Sequence, residues 1–241
     1  MQALSELPEL GVIMLDTRFP RPPGDIGNPA SFAVPVRQRV VTGAWPAAVV
    51  QTAESRQASG MLPAFVAAAR ALQADGVCAI TTSCGFLVLM QQALQAAVAV
   101  PVVTSSLLAL PDCLAREQQV GVLTISADKL GPAHLLAAGV PEARLGDVLV
   151  QGVDPEGPFA GPVLRNESGM DLPAAEADVV RAALALQARA PHLRTLVLEC
   201  TNMPPYAAAI ESRTGWRTLS LLQSTTLLQA FSRTSSMAPG L

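Results

Sequence analysis

Between Gly76 and Pro111 the chain carries no charged side chain. A stretch that long must cross a membrane or lie at the centre of a fold. Thr81, Thr82, Ser83, Gln91, Gln92 and Gln95 interrupt it, and Pro101 divides it. It therefore reads as strand, helix, strand inside a soluble core, with no membrane partner.

The remainder of the chain supports that reading. Of its 241 residues 50% are hydrophobic, and these are mostly Ala, Val and Leu, with 4% aromatic. This mixture suits parallel strands buried on both faces and covered by Ala-rich helices. Apolar runs read as strands at 11–15, 47–50, 77–81, 101–104, 120–125, 147–152, 193–199 and 216–219. Helical spacing appears at 61–74, 86–97, 107–116, 127–138, 172–189, 204–213 and 222–231, with Asp171 placed as an N-cap. The Pro- and Gly-rich segment 18–46 reads as a long irregular loop with a strand near 38–41; such loops shape active sites or are plain surface insertions. Alternation of this kind predicts an α/β fold.

The pattern repeats. Gly11-Val-Ile-Met-Leu15 matches Gly121-Val-Leu-Thr-Ile125, and Cys84 matches Cys200; each Cys follows an apolar strand and precedes a helix. In parallel sheets ligands bind at the carboxyl ends of the strands. A helix start there lowers a thiol pKa and favours a carboxylate. Two such thiols facing one cleft can exchange a proton with a carbon from opposite sides, which inverts a stereocentre without a cofactor. Cys78 and Cys113 read as buried, inert thiols.

The segments Thr81-Thr-Ser-Cys-Gly-Phe86 and Leu198-Glu-Cys-Thr-Asn-Met-Pro-Pro205, supported by Gly11–Asp16 and Gly121–Ser126, resemble the aspartate/glutamate racemase superfamily. That group includes amino-acid and hydantoin racemases, maleate isomerases and arylmalonate decarboxylases. The resemblance implies two pseudo-symmetric α/β lobes, each a parallel sheet flanked by helices, with the active site in the cleft between them. We place the first lobe at 1–115 plus 221–241 and the second at 116–220. It implies Cys84 and Cys200 as catalytic residues and Thr82, Ser83, Thr201 and Asn202 around the substrate carboxylate. Asp16 stands where glutamate racemases place an acid; Asn28, Gly85 and Thr124 complete the candidate substrate-binding set. Gly85-Phe86 replaces the Asn-Thr that follows the first cysteine in glutamate racemases, and Asn202 replaces a histidine. Both changes argue against glutamate as substrate.

Three functions follow as expectations: a two-cysteine racemase or epimerase of a small carboxylate; a cis-trans isomerase or decarboxylase using one essential cysteine; a carboxylate-binding protein without catalysis. No metal is expected, because His134 and His192 belong to no ligand pattern; a Cys-His hydrolase would need His134 to reach a cysteine. Lys129, the only lysine, reads as an exposed turn residue, which argues against pyridoxal phosphate, and no nucleotide-binding motif is present. Cofactors are therefore expected to be none. The net charge of −3 argues against nucleic-acid partners. The first residues lack a signal-peptide pattern, so a cytoplasmic location with free thiols is expected; assembly with further copies is compatible with the sequence. Arg18 and Arg21 read as solvated surface arginines, Asn28 as a turn residue and Tyr206 as a residue near the site or in the packing.

Overall fold

The computed structural model describes residues 8–52 and 56–236; the first residues, read for a signal, and the last five lie outside it. The first half runs β1 (Leu10–Leu15), β2 (Val36–Val41), α1 (Pro46–Thr52), α2 (Arg56–Ala74), β3 (Ala79–Thr82), α3 (Gln91–Ala97), β4 (Val102–Val103) and α4 (Leu110–Leu114). The second runs β5 (Val120–Thr124), α5 (Pro132–Ala137), β6 (Val148–Gly152), α6 (Ala160–Leu164), α7 (Leu172–Arg189), β7 (Thr195–Leu198), α8 (Ala207–Thr214), β8 (Arg217–Leu219) and α9 (Thr225–Ser236).

The strands form two four-stranded parallel sheets with the same order, β2-β1-β3-β4 and β6-β5-β7-β8. The two-lobed α/β architecture is thus as expected. Equivalent packing repeats in both lobes. Gly11 of β1 lets Leu72 of α2 approach within 3.1 Å of where a Cβ would stand, and Gly121 of β5 admits Leu186 of α7 at the same 3.1 Å. α7 begins on the expected cap, Asp171 Oδ1 accepting from the Ala174 N–H at 3.0 Å. Leu221, Leu227 and Ala230 return at the end of the chain to pack with Leu10, Val12 and Ala79 of the first sheet.

Several local expectations are corrected. Residues 47–50 are helical, not a strand, because Pro46 opens α1 with φ already set for a helix. The helix expected from 127 begins only at Pro132, after an exposed turn that holds Lys129. α6 was not anticipated. The segments at 86 and 107 begin as 3-10 turns, Gly85–Met90 and Ser106–Ala109, before continuing as α3 and α4. Cys78 lies in the bend before β3, not inside the strand, and is half-buried rather than buried. No helix among the described residues is long and apolar enough to cross a membrane.

Candidate active site

The two cysteines meet at the carboxyl ends of the two sheets. Ser83 follows β3 and accepts the Leu15 N–H on its Oγ at 2.9 Å, tying the ends of β1 and β3 together. Cys84 follows in extended conformation as the N-cap of the 3-10 turn. From the other lobe, Glu199 and Cys200 follow β7, and Thr201 Oγ1 donates to the Ser83 carbonyl at 2.7 Å across the lobe boundary. Both thiols line one small cavity of about 20 Å³ between the lobes. Its polar lining is Ser83, Glu199, Thr201, Asn202 and Arg21; Leu15, Phe19, Val50, Phe86, Ile125 and Val163 supply an apolar remainder.

A clasp from the first lobe closes over this cavity. Asp25, 1% exposed, accepts from Arg21 Nη1 at 2.7 Å, from the Gly27 N–H at 2.7 Å and from Asn202 Nδ2 at 2.7 Å. The Ile26 N–H donates to the Thr201 carbonyl at 3.1 Å. Arg21 also donates to Thr17 Oγ1 and lies 4.6 Å above the Phe19 ring. This is where the 18–46 loop does its work, and Arg21 is a pocket residue rather than a solvated one. Arg18 is exposed as expected.

Glu199 is the group that the sequence reading left without a role. Its side chain is 1% exposed; Oε2 accepts from Thr124 Oγ1 at 2.7 Å, while Oε1 is buried with no hydrogen-bond partner among the described residues. Burial pushes its carboxyl up to about 7, and the Thr124 hydroxyl holds it from rising further.

The thiols are shifted the opposite way from expectation. Burial, then the neighbouring Glu199 carboxylate, pushes Cys84 up to about 12; the Phe86 and Leu87 N–H groups and Arg21 oppose this but do not win. Cys200 is likewise pushed up, by burial first and then by Glu199, Cys84 and Asp25, and its thiol donates to Asn202 Oδ1 at 3.6 Å. The helix-start donors are real, but desolvation of a charged sulfur outweighs them. Iodoacetamide at pH 7 is accordingly expected to modify half-buried Cys78 before Cys84, Cys113 or Cys200, as read by peptide mass spectrometry. Fastest labelling at Cys84 would show that the pocket opens readily.

The other anticipated residues divide into two groups. Ser83, Gly85, Thr201 and Asn202 line the cavity with the cysteines. Thr82 and Thr124 sit behind it: Thr82 Oγ1 donates to the Cys84 and Thr104 carbonyls, and Thr124 to Glu199. Asp16 and Asn28 are not in its walls. Asp16 Oδ2 accepts the Gly43 N–H at 3.0 Å, securing the turn after β2, and Asn28 caps the turn Pro29–Ser31 through Ala30 N. His134 is not in the lining; it accepts the Gly131 N–H at 3.2 Å and meets Phe86 edge-on at 5.1 Å. Tyr206 packs edge-on against Phe159. No group of three or more His, Cys, Asp or Glu among the described residues is placed to hold a metal.

Residues 35–228 match the sequence profile of the family described as Asp/Glu/Hydantoin racemase. The chain belongs to this family. Within it, the chain is 32% identical over 217 residues to a dimethylsulfoniopropionate lyase of Durusdinium sp. clade D, covering 86% of this chain and 69% of that protein. It is 31% identical to dimethylsulfoniopropionate lyase 7 of Emiliania huxleyi, covering 87% of this chain but only 62% of that longer protein. Its fold is similar to a mutant of arylmalonate decarboxylase in a sulfate-associated form, with TM-score 0.58 at 15% identity, over 96% of this chain and 95% of that one. Family membership makes this an enzyme fold of the racemase type, while the two relatives named above are lyases.

Proposed function

We propose that this chain is a cofactor-independent lyase acting on a small carboxylate that bears a sulfonium on its β-carbon, as dimethylsulfoniopropionate does. The observation that carries this reading is the pocket itself: a thiol and one guanidinium share its polar wall with Ser83, Glu199, Thr201 and Asn202, opposite an apolar, partly aromatic wall. A thiolate takes the proton next to the carboxylate. The C–H electron pair becomes the new double bond, and the C–S pair leaves with neutral dimethyl sulfide. The leaving group departs without a proton, so neither a metal nor an electron-withdrawing cofactor is called for. Arg21, which keeps N–H donors beyond those given to Asp25 and Thr17, is the cation in the walls suited to the carboxylate, and Phe19 and Phe86 add aromatic surface to the wall beside the sulfonium. The similarity to two lyases named for this substrate supports the same choice.

Racemisation is the second reading, favoured by one observation: both cysteines line the same cavity. The two reactions share their first event, removal of an α-proton, and differ in whether a β-leaving group is expelled or a proton is returned. Headspace gas chromatography after incubation with dimethylsulfoniopropionate, with acrylate measured in the same sample, tests the lyase. Exchange of α-protons in heavy water across a panel of amino acids and hydantoins tests the racemase. Inversion on that panel without release of dimethyl sulfide would reject the lyase reading.

A further inference from the structure

The buried oxygen of Glu199 carries a further step. Oε1 is enclosed in the wall of the cavity without a hydrogen-bond partner among the described residues. It lies against the backbone of Gly85, the residue after Cys84: a Cβ on Gly85 would stand 2.4 Å from it. A buried carboxyl oxygen with no donor is an unusual cost for a fold to carry. Oε2 is already satisfied by Thr124. The free oxygen is therefore the one available to a proton.

We propose that Glu199 is the proton acceptor behind Cys84, the group on which the α-proton of the substrate finally rests. The carboxylate takes the Cys84 S–H proton, forming O–H and leaving a thiolate. The thiolate removes the α-proton, forming S–H again, as the double bond forms and the leaving group departs with the C–S pair. Glu199 now holds one proton, which passes to solvent when the pocket opens. The positive sulfonium of the entering substrate stabilises the thiolate that this transfer creates. Glu199 thus acts through Cys84 and does not itself touch the substrate. The substrate rests on the lyase reading; the proton transfer between Glu199 and Cys84 does not.

The ionisable groups around Glu199 come from every side of the pocket. Cys84 and Cys200 both feel its charge; Arg21 shares the pocket wall and pairs with Asp25, Tyr206 ahead of α8 acts on the side of Asp25 and Cys200, and His134 of α5 lies behind Phe86. Arg21 pairs with Asp25 through Nη1, and no ion pair among the described residues engages Glu199.

The test is the pH dependence of kcat/KM for dimethyl sulfide release. The active form needs an ionised Glu199, so the wild-type rate should rise with pH to a plateau, with a midpoint near the value of about 7 set by burial. Glu199→Gln should lose about a hundredfold at pH 8 and lose that midpoint as well. Glu199→Asp should keep a midpoint at reduced rate. Thr124→Val removes the hydroxyl that favours the charged form, so the midpoint should move to higher pH, a shift that a merely structural role would not produce. Elimination by Glu199→Gln within threefold of wild type, or an unmoved midpoint in Thr124→Val, overturns the inference. If the wild type releases no dimethyl sulfide at any pH, the lyase reading fails instead. A protonated-carboxyl infrared band at pH 6 that disappears in Glu199→Gln would still support a proton resting on Glu199. Absence of that band in the wild type would overturn the inference.

Discussion

Cys84→Ser is expected to lower kcat/KM for elimination by about a thousandfold or more, and Cys200→Ser by much less, on the order of tenfold. The asymmetry follows from the surroundings of the two sulfurs. Cys84 faces two backbone N–H groups, of Phe86 and Leu87, and the field of Arg21, all of which favour its thiolate. Cys200 has one such N–H, from Asn202, and is opposed by Cys84 and Asp25; its proton is directed to Asn202 Oδ1. A hydrogen bond donated by a thiol favours the neutral form. Elimination of a sulfide requires one base and no acid for the leaving group, so one thiol suffices. Racemisation requires both, and equal, near-complete losses in the two variants would point to it. The measurement is single-substrate kinetics on both serine variants at pH 8, with α-proton exchange in heavy water followed in parallel. If Cys200→Ser is the inactive one, the base has been placed on the wrong side of the cleft.

Much of this site was legible because strand-end chemistry leaves a short-range mark. An apolar run followed by Cys and then a helix can be read twice in the chain, and the parallel sheets bring both copies to one edge. What could not be read depends on distant pairs. Glu199 stands in plain view in Leu198-Glu199-Cys200, yet an acid after a strand is ordinarily solvated. Its burial is set by Thr124, 75 residues away, and by Gly85 of the other lobe. Arg21 and Asp25 show i,i+4 spacing in the sequence, but Asp25 becomes a pocket support only through Asn202, 177 residues on. The thiol shift was misjudged for a related reason. The helix-start donors are local and were anticipated; the desolvation that overrides them comes from both lobes closing on the sulfur. The misread segment at 47–50 has a different cause. Four apolar residues carry no periodicity, and the proline at 46 was the better signal.

Gly85→Ala is expected to cost about 3 kcal/mol of stability and to loosen the cleft in the same step. Gly85 does not have a positive φ, so its backbone conformation is open to any residue. The obstacle is contact. A Cβ here would lie 2.2 Å from the Glu199 backbone carbonyl oxygen, in addition to its clash with Oε1. A flexible side-chain end can turn away, but a carbonyl that follows β7 cannot. That carbonyl belongs to the second lobe and Gly85 to the first. Relief must come from moving the lobes apart, against the Thr201–Ser83 bond and the bond from Ser106 Oγ to the Leu198 carbonyl at 2.7 Å. In a chain of this size such a loss lowers the melting temperature by about 5–10 °C. Separation of the lobes also admits water to the thiols, weakening the desolvation that holds them neutral. Gly85→Ala should therefore combine a lower melting temperature with faster iodoacetamide labelling of Cys84 and Cys200 at pH 8. Calorimetry and peptide mass spectrometry read the two effects separately. A variant that melts and labels like wild type would show that the lobes do not meet at this glycine.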